Sequence, residues 1–246
     1  MALTAPPETQ ALLLDLQQFD TRLSQLDHRA KSLPELAELT QLGKQADEVR
    51  RSLNEQSGAL DDVNAELKRT ESDVEVVEAR IKRDAERLQT SSSVKDVAGL
   101  EHEIAALQKR LNDLEEIELV VMERVEEHQA AVNQTRAEHE ALQTRIRDVE
   151  AARDAALASI AAERATAATG RSAIETRVPE DLLALYEKQR ARYGWGASML
   201  QGGVSSASGV KLNESDMAVV RAATPETVLL CPDSNAILVR TGESGL

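Results

Sequence analysis

Aromatic side chains are scarce in this sequence, and that scarcity limits the folds it can adopt. Only 2% of the 246 residues are aromatic, whereas 29% are charged. Such a chain is either disordered or held together by narrow strips of apolar side chains between helices, here called seams, as in coiled coils. Its hydrophobic residues, 41% of the total, recur at regular intervals, which favours seams.

The chain also lacks an excess of basic residues and has little cysteine. Its 29 Lys and Arg stand against 43 Asp and Glu, a formal net charge of −14, and an acidic chain repels phosphate backbones. The one cysteine, Cys231, cannot form an internal disulfide. The first ten residues show no basic flank followed by an apolar run, and no run approaches the roughly 20 apolar residues of a spanning helix. We therefore expect a cytosolic protein without a signal peptide.

Apolar residues at alternating spacings of three and four predict three coiled-coil helices. The first seam comprises Leu16, Phe19, Leu23, Leu26, Ala30 and Leu33. Ser32-Leu33-Pro34-Glu35 has the pattern of a capping box, which predicts that Ser32 caps the second helix. The phase also slips after Leu33, so we predict a break or bend at Leu33–Pro34. The second seam comprises Leu39, Leu42, Ala46, Val49, Leu53, Gln56, Leu60, Val63, Leu67, Thr70, Val74, Val77, Ile81, Asp84 and Leu88. The third comprises Leu100, Ile104, Leu107, Leu111, Leu114, Glu118, Val121, Val125, His128, Val132, Thr135, His139, Leu142, Ile146, Val149, Arg153, Ala156 and Ile160.

A serine-rich tip near residues 90–95 separates the two long helices. Ser93 with Asp96 three residues later predicts a helix N-terminus. A short loop makes two long helices antiparallel neighbours, so facing residues should have numbers that add to about 185. We predict a mainly α fold, with a long antiparallel coiled-coil hairpin over residues 1–175.

The last third of the chain changes character. Val178-Pro179-Glu180 opens a short connecting helix, placed at residues 176–196, which carries three of the four aromatics. Residues 197–246 contain short β-type runs, among them Met217–Ala223, and predict a small β domain. Its apolar core is predicted to comprise Val204, Val210, Leu212, Val219, Val228, Leu230, Ile237 and Leu238.

No residue pattern in the sequence indicates a catalytic site, and we expect no enzyme. His128 and His139 are eleven residues apart on the third seam, which suits register-setting residues better than a metal pair. Gly202-Gly203 lacks the Lys-Ser/Thr and the helix of a phosphate loop, so a turn is the better interpretation.

One apolar group is wider than a two-stranded seam requires. It comprises Ile117, Leu119, Val120, Val121 and Met122. One interpretation is a widened stripe inside the hairpin. The functional one is a docking face for another helix or for a second copy of the chain, with Ile117, Leu119, Val120 and Met122 as its candidate residues.

Two short motifs near the C-terminus have the spacing of zinc knuckles. With cysteine at Ser205, Ser208 and Ser234, the chain would read CxxC followed by CPxC at Cys231, the pattern of a four-cysteine zinc ribbon. Because serine hydroxyls are poor zinc ligands, we expect no metal and no cofactor. The serines are predicted to hold the two turns through hydrogen bonds to backbone groups.

Four stretches together resemble a bacterial family of long helical hairpins that end in such a ribbon. They are Lys95–Ile104, Leu114–Glu123, Val178–Tyr186 and Cys231–Leu238. The resemblance implies a cytosolic adaptor, and flagellated members are associated with an alternative sigma factor and with flagellin message. It also implies zinc, and contact with nucleic acid through the ribbon, although three of the four ligand positions here are serine.

The leading hypothesis is a non-enzymatic adaptor that binds a protein partner through its coiled coil and its degenerate ribbon-like domain. The alternative is a regulatory protein that binds nucleic acid through the ribbon, and the acidic charge disfavours it.

Overall fold

A computed structural model of the chain describes residues 3–246, and its fold is mainly α, as predicted. The helices are α1 (Pro7–Lys31), α2 (Pro34–Thr90), α3 (Val94–Glu175), α4 (Glu180–Tyr193) and α5 (Glu214–Ala222). The strands are β1 (Ala197–Gln201), β2 (Val204–Ser205), β3 (Leu229–Leu230) and β4 (Ile237–Arg240). No helix among the described residues is long and apolar enough to cross a membrane. The chain divides into two compact units, residues 35–151 and residues 3–34 with 152–246.

The unit of residues 35–151 is the α2–α3 hairpin, and its seam is the one that the sequence predicts. Every residue of the second and third seams is buried or half-buried. Ser93 caps α3, because its hydroxyl oxygen accepts a hydrogen bond from the Asp96 backbone N–H at 3.4 Å. Ion pairs join the two helices, and their residue numbers add to about 185 or 190. They are Arg80–Glu103, Arg124–Glu66 at 3.0 Å and Arg145–Glu38 at 2.6 Å.

The second unit packs α1, the end of α3 and α4 around a small sheet. Its main core includes Leu13, Leu16, Tyr186, Ile237 and Val239, all fully or almost fully buried. Helices approach closely where α3 has small residues. A Cβ added at Gly170 would lie 2.5 Å from the ring of Phe19, so this glycine makes room for the aromatic side chain.

The break between α1 and α2 lies at Ser32–Leu33, next to the predicted Pro34. Ser32 ends α1 and does not cap α2. Its hydroxyl donates to the carbonyl oxygen of His28 at 2.9 Å. Leu33 is buried against Leu26 and Ile160, which fixes the end of α1 on α3.

The sheet has the strand order β2-β1-β4-β3, with β1 parallel to β4 and the other pairs antiparallel. The N-terminal segment extends it. The Ala5 backbone N–H donates to the carbonyl oxygen of Glu226 at 2.8 Å, and the Val228 N–H donates to that of Leu3 at 3.0 Å. Residues from both ends of the chain therefore share one unit.

The prediction for Met217–Ala223 is wrong, because this stretch lies largely in helix α5. Asn213 caps that helix and accepts a hydrogen bond from the Asp216 N–H at 2.9 Å. Helical periodicity buries Met217 and Val220 and turns Val219 outward.

The predicted core of the small domain is therefore only partly right. Leu212, Ile237 and Leu238 are buried, whereas Val210, Val219 and Leu230 are exposed. The cluster that forms comprises Leu200, Leu212, Met217, Val220, Cys231 and Leu238.

Candidate partner-binding face and paired C-terminal turns

The wide apolar group on α3 lies outside the seam. Ile117, Leu119, Val120 and Met122 are 47%, 62%, 57% and 44% exposed, whereas Val121 among them is 2% exposed. Val121 alone completes the seam at this point. The interpretation of the group as a widened internal stripe is therefore wrong, and its role as a docking face stays a prediction.

The exposed residues form two short strips. At about 100° per residue, Ile117 and Val120 lie on one side of the seam and Leu119 and Met122 on the other. Glu116 and Glu123 lie on the outward surface between the strips. A single partner helix can therefore pack fully against only one of them.

Acidic side chains of α3 flank both strips. Between residues 115 and 127 the helix carries six glutamates and one basic residue, Arg124. Arg124 is already paired with Glu66 of α2, on the side of Ile117 and Val120. The strip of Leu119 and Met122 instead has Glu115 one turn before it and Glu126 one turn after it, and both glutamates are exposed.

The seam histidines lie about 16 Å apart along α3, because eleven residues separate them. His128 and His139 are half-buried on α3, in the seam positions that the sequence assigned to them. Across residues 3–246, no three His, Cys, Asp or Glu side chains come close enough together to hold a metal ion.

The two motifs with knuckle spacing adopt the same turn. In the first, the Gly209 N–H donates to the carbonyl oxygen of Ser205 at 2.8 Å. In the second, the Asn235 N–H donates to that of Cys231 at 2.9 Å. Gly209 has φ +67° and Asn235 has φ +58°, the left-handed region that glycine and asparagine tolerate best.

The predicted ligand positions make hydrogen bonds of two kinds. The Ser208 hydroxyl accepts from the Val210 N–H at 3.3 Å, and that of Ser234 accepts from the Ala236 N–H at 3.4 Å. Both serines thus hold their turns through backbone groups, as expected. Ser205 instead bonds to side chains, because its hydroxyl lies 2.7 Å from that of Ser198 and 3.4 Å from the Cys231 sulfur.

Ser198 and the environment of Cys231 were not predicted. Ser198 is fully buried on β1, and its hydroxyl oxygen accepts from the Ala207 N–H at 3.1 Å. Burial acts to raise the pKa of the Cys231 thiol, but its hydrogen bonds with Ser205, Ser234 and nearby backbone groups hold that pKa below its ordinary value. The alternation of side chains along β1 could have indicated that Ser198 points into the domain, but not that its hydroxyl contacts Ser205.

An ionic network centred on the buried Asp20 lies where α1, α3 and α4 meet, and no sequence pattern indicates it. One oxygen of Asp20 accepts from the Tyr186 hydroxyl at 2.6 Å. Its other oxygen accepts from Arg171 at 2.7 Å and from Arg190 at 3.1 Å. Burial, followed by the hydrogen bond to Asp20, raises the pKa of Tyr186 far above its ordinary value. This network holds α1, α3 and α4 together within the second unit.

The second unit also has an open groove of about 870 Å³ beside Trp195. Phe19 and Trp195 line it, and an Arg22–Glu163 ion pair stands at its edge. The lining residues come from α1, α3 and the start of the sheet, so sequence periodicity could not assemble the groove.

Comparison with known proteins places the chain in a family. Residues 16–194 match the CT398-like coiled coil hairpin domain. The chain belongs to that family. The uncharacterized protein Rv2229c of Mycobacterium tuberculosis is 34% identical over 235 residues, which cover 94% of this chain and 95% of that protein.

Two solved structures have the same fold as this hairpin protein. A protein from Mycobacterium smegmatis is 36% identical, with a TM-score of 0.85 over 97% of this chain and all of that one. CT398 from Chlamydia trachomatis is 15% identical, with a TM-score of 0.63 over 95% of this chain and 98% of that one. At that identity, the second likeness shows the fold alone.

Proposed function

We propose that this chain is a non-catalytic cytosolic adaptor that binds a protein partner through the exposed apolar residues of α3. One observation carries the proposal. Ile117, Leu119, Val120 and Met122 are exposed next to a seam that Val121 already closes. Clustered apolar side chains that the fold does not need are typical of interaction sites.

The C-terminal domain is a second contact surface in this proposal, in the form of a zinc ribbon without its metal. The matched turns at Ser205–Gly209 and Cys231–Asn235 support that description, because both motifs have knuckle spacing and close with the same backbone hydrogen bond. In place of an ion, hydrogen bonds and the apolar cluster around Leu200 and Cys231 hold this domain together.

The charges of this domain do not favour nucleic acid as its ligand. Arg240 donates to backbone carbonyl oxygens of the loop after α5, among them Ala223 at 3.1 Å and Thr227 at 2.8 Å. Arg221 is bonded to Glu214 at 2.7 Å. Two of the three basic residues in this domain are thus engaged within it, and few cations are left to track a phosphate backbone.

A photo-crosslinking side chain placed at Leu119 and, separately, at Val120 tests the adaptor function in living cells. We expect at least one position to form an adduct with another polypeptide. The same group at Val76, which is 62% exposed on α2, is the matched control and should form none. Absence of an adduct at both test positions would contradict the proposed function.

A further inference from the structure

We propose that the strip of Leu119 and Met122 docks a basic amphipathic helix, with lysine or arginine flanking its apolar residues. This inference rests on the proposed adaptor function and names the chemistry of the partner. It concerns one side of α3 only, and the strip of Ile117 and Val120 is not part of the site.

The order of side chains along this strip defines the partner. Glu115, Leu119, Met122 and Glu126 follow one another at spacings of four, three and four, so they lie along one side of the helix. All four are exposed. The strip is therefore an apolar centre with a carboxylate at each end. Its complement is a helix with two apolar residues between two cations at the same spacings.

The local charge excludes the other common occupant, a second copy of the chain. Two copies packed through this strip would bring Glu115 and Glu126 of each close to those of the other. Like charges in contact oppose association, and the six glutamates between residues 115 and 127 add to the repulsion. A basic helix instead meets an exposed carboxylate at each end of the strip.

The two strips differ in a way that selects this one. Beside Ile117 and Val120, Arg124 already forms an ion pair with Glu66. No ion pair or hydrogen bond engages the carboxylates of Glu115 or Glu126 among the described residues. A cation from a partner can therefore bind them without displacing an internal bond. Met122 also suits a docking site, because its unbranched thioether adapts to different partner surfaces.

Carbon-13 methyl labelling of methionine gives a direct test in the full-length chain. The probes are three alanine-rich helical peptides of about 20 residues. The first has two leucines three apart, with a lysine four residues to either side. The second has glutamates in place of the lysines. The third has the composition of the first, with its leucines on opposite faces of the helix.

We expect only the first peptide to shift the Met122 methyl signal, while the signals of Met199 and Met217 stay unchanged. The effect should weaken as the salt concentration rises from about 50 mM to about 300 mM. Leu119→Gln should reduce the affinity about fivefold or more, since one leucine contact is lost. The variant Val76→Gln, at an exposed position of α2, is the matched control and should bind the first peptide as the native chain does.

Several results would overturn the inference. One is a Met122 methyl signal that does not respond to the first peptide, and another is a signal that responds equally to the second or third peptide. A third is a Met122 methyl signal that shifts when the protein concentration alone is changed. Binding that survives Leu119→Gln unchanged would have the same effect.

The cellular crosslink separates this inference from the proposed function. An adduct from Leu119 to a basic amphipathic segment supports both. An adduct to a second copy, or to an acidic or neutral segment, leaves the adaptor function standing and contradicts the basic-helix assignment. No adduct from Leu119 or Val120 contradicts the proposed function itself.

Discussion

At the scale of single residues, the bond between Tyr186 and Asp20 is the contact whose loss should cost the fold most. Tyr186 is fully buried, and its hydroxyl donates to Asp20 at 2.6 Å. Asp20 also accepts from Arg171 and Arg190, which lie 151 and 170 residues further along the chain. Sequence periodicity could place Phe19 near the end of the hairpin. It could not place this network, because a charged residue on a helix usually faces solvent.

We predict that Tyr186 ionises only when the second unit unfolds. Its pKa is raised in the folded state, so the stability it contributes is complete below the unfolded tyrosine pKa of about 10 and decreases as the pH rises above it. In a Tyr193→Phe background, tyrosinate absorbance should appear together with loss of helical circular dichroism. Tyrosinate absorbance that precedes unfolding would contradict this prediction.

The double variant Tyr186→Phe and Tyr193→Phe serves as the control. It should lose about 1–3 kcal/mol of stability near neutral pH, because one of the buried acceptors of Asp20 loses its donor. Its stability should then depend less on pH in the alkaline range.

At the scale of elements, sequence patterns predicted the structure correctly where one period repeats many times, and they failed where the segment is short. The seams of α2 and α3 repeat over many heptads, so each residue reinforces the phase of the next. Helix α5 has only nine residues, and its Met-Ala-Val-Val run fits a strand equally well. The signal that could have decided was Asn213, an N-cap residue three positions before Asp216.

The two C-terminal turns lead to a prediction about metal. We expect well under one zinc per native chain by elemental analysis, and a melting curve that a chelator does not change. Serine hydroxyls stay protonated near neutral pH and bind zinc poorly. Substituting Ser205, Ser208 and Ser234 together by cysteine should create a site for about one tightly bound zinc per chain, since both motifs have the spacing of zinc knuckles and adopt matching turns.

The triple cysteine variant with Cys231→Ser is the matched control, and it should bind zinc more weakly. Stoichiometric zinc in the native protein would show that the serines do not prevent binding. Failure of the triple variant to bind would show that the turns are not aligned as two halves of one site.

At the scale of the whole molecule, the antiparallel pairing followed from one short loop and two long seams. Helices joined at residues 91–93 have little choice of register once each seam must stay buried. The meeting of the N-terminal segment with residues 226–228 had no such basis, because it depends on a sheet edge that the sequence does not mark. The exposed strips of α3 are an intermediate case. Their apolar residues could be identified in the sequence, but only the structure shows that these side chains are exposed.

The last prediction tests this pairing within residues 35–151. Glu66 and Arg124 are bonded at 3.0 Å, so cysteines in their place should be joined by a short bismaleimide within one chain. The background is Cys231→Ser, which removes the native thiol. The control is Glu66→Cys with Glu138→Cys, whose second site lies two heptads, about 21 Å, further along α3. Crosslinking of the test pair alone, at low protein concentration, would confirm the register, whereas equal crosslinking of both pairs would contradict it.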